Sequence, residues 1–432
     1  MDEIRQGEGA GSDAEWKGVS RELPPILQST PDREGKGWKS PSWGPLAISA
    51  AAFVAGSSAG VGLLNKSGRR GAATVVGAVA TAIAGGAFGL ARFLVNKSFS
   101  ANASGPLAQS ERQYLDEHPG SELGAMLSRA TRVGRLLTNA DIPTNLAYRE
   151  ALTEDEIKTY EWNRSTEEEA CLAWVESAVA TREHIVSEDG LTLTGHVWKA
   201  EGDSTRGASA DWVILAHGWN GDWTEMTHYA HAYATHGYDV LVPEMRGHGT
   251  SEGAVVGMGW LDRRDLVSWA RWIVDNYGED IRIVMHGHSM GAASVVLAAA
   301  EADLPEQVRA AVSDSAYSDV INLIAPALRN GFRLPTHPTL ELARAAFMLR
   351  LDGYDLADAA PEAAAGGTRV PVMVVHGVCD TFVPPYMARR IYDALPEGSR
   401  ELLVVRGANH CQSSLADPDL YWSRVFAFLD RA

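Results

Sequence analysis

Gly287-His288-Ser289-Met290-Gly291 fits G-x-S-x-G, and it stands between an apolar run, IRIVMHG, and an Ala-rich run with helical character. Between a strand and a helix, that pattern makes a sharp turn. The turn is too tight for a Cβ at either glycine, and it thrusts the Ser289 hydroxyl out at a helix N-terminus. Free N–H groups and the helix dipole there favour a developing oxyanion. A serine alcohol titrates far above neutral pH, so it needs a base and a group to orient that base. In strand–elbow–helix serine enzymes the acid and then the histidine follow the serine in the chain. His410, in ELLVVRGANHC after the last apolar strand, is the candidate base. Two aspartates compete for the acid. Asp380 follows the apolar strand VPVMVVHG, in the loop from Gly377 to Pro384. Asp314 closes the strand VRAAVSD, and Ser315 and Ala316 follow it, so it reads as a helix N-cap opening an insertion. Position favours Asp380. The oxyanion donors are expected to be the backbone N–H groups of Trp219, in His217-Gly218-Trp219-Asn220-Gly221, and of Met290. Trp219 and Trp223 either line an acyl pocket or pack.

These residues need a frame that carries each of them at the end of a strand. HIVSEDGLTLTGHVWK reads as a hairpin turning at Asp189-Gly190. After it, the apolar strands WVILAHG, YDVLVPE, IRIVMHG, VRAAVSD, VPVMVVHG and ELLVVRG alternate with helical runs over 226–236, 262–277, 292–302, 387–395 and 420–429. In the run 262–277, Leu266, Trp269, Ala270 and Ile273 share one stripe. Such alternation predicts a mostly parallel, twisted sheet with helices on both faces. A helical insertion over about 316–360, with Asn330–Pro338 inside it, reads as a short cap, and His337 reads as a loop histidine.

As a set, HGWNGD, PEMRGHGTSEG, GHSMG, HGVCDTFVP and GANH resemble the alpha/beta-hydrolase superfamily in order and spacing. More narrowly, the chain looks like small-capped bacterial hydrolases of the serine-aminopeptidase-like kind, several of which carry an N-terminal membrane anchor. The resemblance covers about residues 180–431 and not 1–110. It departs from the family at Glu244, where an aspartate is common, and Arg246 and His248 read as loop scaffolding. The resemblance implies a two-step acyl-transfer hydrolysis that needs neither metal nor organic cofactor. Ser289 is the nucleophile, His410 the general base and acid, and Asp380 the group that sets the His410 tautomer. The expected substrate is a small-molecule carboxylic ester. One alternative is a peptidase, for which Glu225 or Asp222 would take the substrate ammonium. Another, from a different class, is a membrane-tethered binding module without catalysis.

The chain has 432 residues, 45% of them hydrophobic, and a net charge of −17. That acidity argues against a nucleic-acid surface. Three cysteines without CxxC spacing exclude a disulfide scaffold and a Cys/His metal site. Cys379 and Cys411 flank the acid and the histidine, and they are either a disulfide pair or small packing residues. Residues 1–45 read as a disordered polar tail, with no signal-peptide pattern. Residues 46–64 and 71–91 are uncharged and long enough to cross a bilayer at ~1.5 Å per residue. Gly56/Gly60 and Gly85/Gly89 would let two such helices approach closely. Residues 46–95 are therefore expected to be a transmembrane hairpin; a flexible linker or a soluble helical hairpin is the alternative. Lys66, Arg69 and Arg70 favour a cytoplasmic connecting loop and an extracytoplasmic catalytic domain, while Lys36, Lys39 and Lys97 oppose it. Residues 96–181 read as a helical linker, with Thr153 and Thr166 as N-caps, ahead of a hydrolase domain at 182–432.

Overall fold

The computed structural model describes residues 171, 174, 178, 180–200, 211–219, 221–326, 336–350, 354–380 and 382–432. The tail, the hairpin over 46–95, the Thr153 and Thr166 caps and the segment 327–335 lie outside the described residues. Among the described residues no helix is long and apolar enough to cross a membrane.

The first two strands, β1 (Thr181–Val186) and β2 (Thr192–Trp198), form the expected hairpin, with Gly190 at φ 86° in its turn. Then follow β3 (Trp212–Ala216), helix α1 (Thr227–Thr235), β4 (Asp239–Pro243), α2 (Asp262–Tyr277), β5 (Ile283–His288), α3 (Met290–Ala299) and β6 (Val308–Asp314). The order continues with α4 (Val320–Pro326), α5 (Thr336–Arg350), α6 (Pro361–Ala365), β7 (Val372–Gly377), α7 (Tyr386–Ala394), β8 (Arg400–Val405), α8 (Ser413–Ala416) and α9 (Pro418–Leu429).

The sheet runs β1-β2-β4-β3-β5-β6-β7-β8. β2 is antiparallel to both neighbours, and every other pairing is parallel. The registers Ala216↔Gly287, His288↔Asp314 and Gly377↔Val405 bring the carboxyl ends of β3, β5, β6, β7 and β8 to one edge. Loops leaving that edge can therefore converge, as ligand sites of open α/β sheets do. The strands β3, β4, β5 and β7 are buried along their whole length, as a sheet covered on two faces requires. α3 is buried at every position, which explains its run of Ala and Val. α2 buries the stripe Leu266, Trp269, Ala270 and Ile273, together with Val267, Asp262 and Asp265. At the other face, Tyr229, Tyr233, Tyr421 and Phe426 pack around the strands with Trp174 and Trp198.

Residues 321–358 make a separate unit among the described residues. It holds α5, whose Arg344 donates to Asp355 at 2.9 Å, and a 3₁₀ turn at Leu356–Asp358. His337, second in α5, has a non-helical backbone (φ −108°, ψ 131°), is exposed and pairs with Glu341.

Candidate active site

Ser289 links β5 to α3 at φ 53° and ψ −119°, a conformation that L residues rarely adopt. Its neighbours make the turn possible. A Cβ on Gly287 would lie 2.3 Å from the Gly291 carbonyl, and one on Gly291 would lie 2.0 Å from the Ala216 oxygen. The Ser289 N–H is satisfied by the Asp314 carbonyl at 2.9 Å.

His410 stands in the loop after β8. Its Nε2 is 2.9 Å from Ser289 Oγ, and its Nδ1 is 2.7 Å from Asp380 Oδ2. The Phe382 ring meets the imidazole edge-on at 4.8 Å between centroids. Asp380 is fully buried after β7, and its Oδ1 accepts the N–H groups of Phe382 and Val383 at 2.9 and 2.8 Å. Burial pushes this carboxyl up. The facing His410, and the hydrogen bonds from His376 and His410, outweigh burial and hold it well below the usual carboxylate range. The sheet edge thus brings together the three residues named from sequence.

The loop after β3 passes against the nucleophile. A Cβ on Gly218 would stand 3.2 Å from His288 Nε2 and 3.4 Å from Ser289 Cβ, which puts Trp219 beside the elbow. His217 fixes this loop, since its Nδ1 meets the Gly218 oxygen at 2.8 Å and its Nε2 accepts the Met245 N–H at 3.0 Å. Burial, helped by the nearby His248, lowers the His217 pKa to about 3, so the ring is neutral and serves both contacts. Met290 begins α3, where its N–H precedes the first helical hydrogen bonds.

Glu225 and Asp222 differ in availability. Asp222 caps the turn Trp223–Met226 by accepting the Thr224 N–H at 2.7 Å. Glu225 places Oε2 3.1 Å from His288 Nε2, and its side chain is 44% exposed. Trp223 stacks on His196 at 4.3 Å, which makes it a packing residue.

The 244–250 loop is scaffolding. The Glu244 carboxylate meets His196 Nε2 at 2.8 Å, accepts from Thr250 Oγ1 at 2.8 Å and also bonds the Thr250 N–H. Arg246 grips Asp265 through two contacts of 2.6 Å. His248 Nδ1 meets the Arg246 oxygen at 3.0 Å.

Asp314 differs from its sequence-based reading. It caps no helix: its carboxylate is buried and accepts from Tyr421, Tyr229, Ser315 and Ser413. A cap would have left it at the surface; the fold instead closes α8 and α9 over it. Cys379 and Cys411 do not form a disulfide with each other. His376 escaped sequence reasoning. It is buried at the end of β7, with Nε2 2.8 Å from the Val383 oxygen and 3.2 Å from Asp380 Oδ2. The available signal was a histidine four residues before an acid, at the end of a wholly apolar strand.

Residues 211–359 match a family model described as the alpha/beta hydrolase fold. The uncharacterised protein YqkD of Bacillus subtilis is 27% identical over 219 residues, which is 50% of this chain and 70% of that protein. A thermostable monoacylglycerol lipase of a Bacillus species is 23% identical over 238 residues, covering 50% of this chain and 89% of the lipase. Among solved structures, the Pyrococcus furiosus esterase Pf2001 superposes with a TM-score of 0.48 at 25% identity, covering 59% of this chain and 92% of the esterase.

Proposed function

We propose that this chain, a hydrolase of the alpha/beta-hydrolase fold, is a serine hydrolase that cleaves carboxylic esters through an acyl-enzyme. The single observation that carries the reading is the chain of contacts Ser289 Oγ, His410, Asp380, at 2.9 and 2.7 Å. His410 Nε2 takes the serine proton as Oγ attacks the acyl carbon. The backbone N–H groups of Trp219 and Met290 receive the oxyanion, and His410 returns the proton to the leaving alcohol. Water then repeats the sequence on the acyl-enzyme. Asp380, held ionised, keeps the proton on Nδ1 and stabilises the imidazolium. Similarity to a monoacylglycerol lipase supports an ester as substrate.

A second reading, peptidase action on a free N-terminus, draws on Glu225. Its half-exposed carboxylate lies beside the loop that supplies the Trp219 amide. Burial raises this carboxyl and His288 more than offsets it, so Glu225 is ionised and able to face an ammonium. A panel of p-nitrophenyl esters of graded chain length, run beside aminoacyl-anilides, separates the two. Turnover of short and medium esters is expected; cleavage of anilides with no ester turnover would replace the first reading by the second. Failure of a fluorophosphonate to label the wild type would remove both.

A further inference from the structure

At the end of β6, Asp314 is a fully buried acid that the hydrolysis steps leave without a role. Oδ2 accepts from the Tyr421 and Tyr229 hydroxyls at 2.9 and 3.3 Å; Oδ1 accepts from the Ser315 and Ser413 hydroxyls at 2.9 and 3.4 Å. No lysine or arginine pairs with it among the described residues. Burial pushes its carboxyl up, so the position costs free energy that an apolar side chain would not.

What that acid touches explains its place. Ser315 Oγ donates to Asp314 and accepts the Cys411 N–H at 3.2 Å. Cys411 directly follows His410. Ser315 and Cys411 both hold positive φ, 62° and 57°, so the two strained residues meet at this contact. On the other side of His410, the Ala408 oxygen accepts the Cys379 N–H at 2.9 Å. The ring of the base is held by Asp380, and the backbone on either side of it by the Cys379 N–H after β7 and by one hydroxyl at the end of β6. A hydroxyl has one proton. With Asp314 taking it, the lone pairs of Ser315 must face Cys411; without that acceptor the hydroxyl can rotate and oppose the N–H. Tyr421, the nearest hydroxyl donor to Oδ2, continues into a buried hydrogen-bonded chain on the far side. Tyr421 OH meets His286 Nε2 at 3.0 Å, and His286 Nδ1 meets Tyr233 OH at 3.0 Å.

We propose that Asp314 and Ser315 are positioning residues for the base: Asp314 orients the Ser315 hydroxyl, which holds Cys411 N–H and so aims His410 Nε2 at Ser289. This rests on the serine-hydrolase reading for its effect on turnover, though not for its effect on the His410 ring.

Ser315→Ala in the full chain keeps the Cβ and the backbone conformation and removes only the hydroxyl. The kcat for an activated ester should fall about tenfold to hundredfold, as a small misplacement of a catalytic group does, with KM little changed. Ser315→Gly, which relieves the left-handed strain, should lose the same activity at an equal or higher Tm. The downfield proton resonance of the His410–Asp380 hydrogen bond should shift or broaden in both variants. In a His410→Ala background, adding Ser315→Ala should leave the residual turnover unchanged, because the lost contact acts through His410. An equal loss in that background, or an unchanged resonance and kcat in Ser315→Ala, would overturn the proposal. A wild type that neither hydrolyses esters nor reacts with a fluorophosphonate would sink the hydrolase reading, while the resonance would still decide whether Ser315 places His410.

Discussion

Replacing Asp380 by Asn disturbs four contacts at once: two backbone N–H groups on Oδ1, and His410 and His376 on Oδ2. Whichever way the amide turns, an NH2 group faces donors. The His410 tautomer is then lost, and kcat should fall by about three to four orders of magnitude. The frustrated buried donors should also lower stability by roughly 1–3 kcal/mol, visible as a reduced Tm. Ser289→Ala, by contrast, should abolish turnover and fluorophosphonate labelling and leave Tm close to wild type. A second residue-scale expectation concerns Glu244. Burial raises its pKa, but His196 and the Thr250 contacts dominate and bring it to about 2. A folded-state pKa below the unfolded one adds stability above the unfolded value, near 4.5, and that stability is lost as pH falls toward about 2. Chemical denaturation from pH 6 to pH 2 should therefore show a steep acid limb in the wild type. Glu244→Gln should flatten it, with a loss on the order of 2–3 kcal/mol at neutral pH.

At the scale of elements, the elbow depends on the close approach of α3 to β3. Gly291 stands where a Cβ would meet the Ala216 oxygen at 2.0 Å and the His217 oxygen at 2.7 Å, both main-chain atoms that cannot rotate away. Gly291→Ala must therefore push the helix off the strand that carries the oxyanion loop. Overpacking of this kind costs about 3 kcal/mol or more, which lowers Tm by roughly 6–12 °C in a domain of this size. A calorimetric scan checks this, and activity should fall with it because the Met290 and Trp219 amides separate. An active Gly291→Ala variant with wild-type Tm would mean that α3 and β3 are not packed as described.

For the whole molecule, the sheet, the elbow and the loops bearing Asp380 and His410 lie within residues 181–432. The proposed membrane anchor lies within 46–95. Deleting residues 1–105 should therefore give a soluble chain that keeps ester turnover within about threefold, since no side chain named in the mechanism is removed. Full-length chain should stay in the pellet after carbonate washing of membranes. Complete release to the supernatant would exclude the anchor and favour a soluble hairpin or linker over 46–95.

Residue order alone carried much of this description. The strand at 308–314 and the helix at 262–277 were legible to their end residues, because apolar runs and 3.6-residue stripes are local patterns. Ser289, Asp380 and His410 were legible because a strand-to-helix turn needs glycines and because Asp380 and His410 each stand in the loop after an apolar strand. The role of Asp314 was not legible. Its partners Tyr229 and Tyr421 are 85 and 107 residues away, and only the packing of α1, α8 and α9 against the sheet brings their hydroxyls to it. Neither was the contact of His376 with Asp380, since a histidine within an apolar strand reads as core until the loop carrying Val383 folds back over it. Local sequence specifies where a strand ends and which side chain stands there; which distant hydroxyl or imidazole satisfies a buried charge depends on parallel registers that no single segment contains.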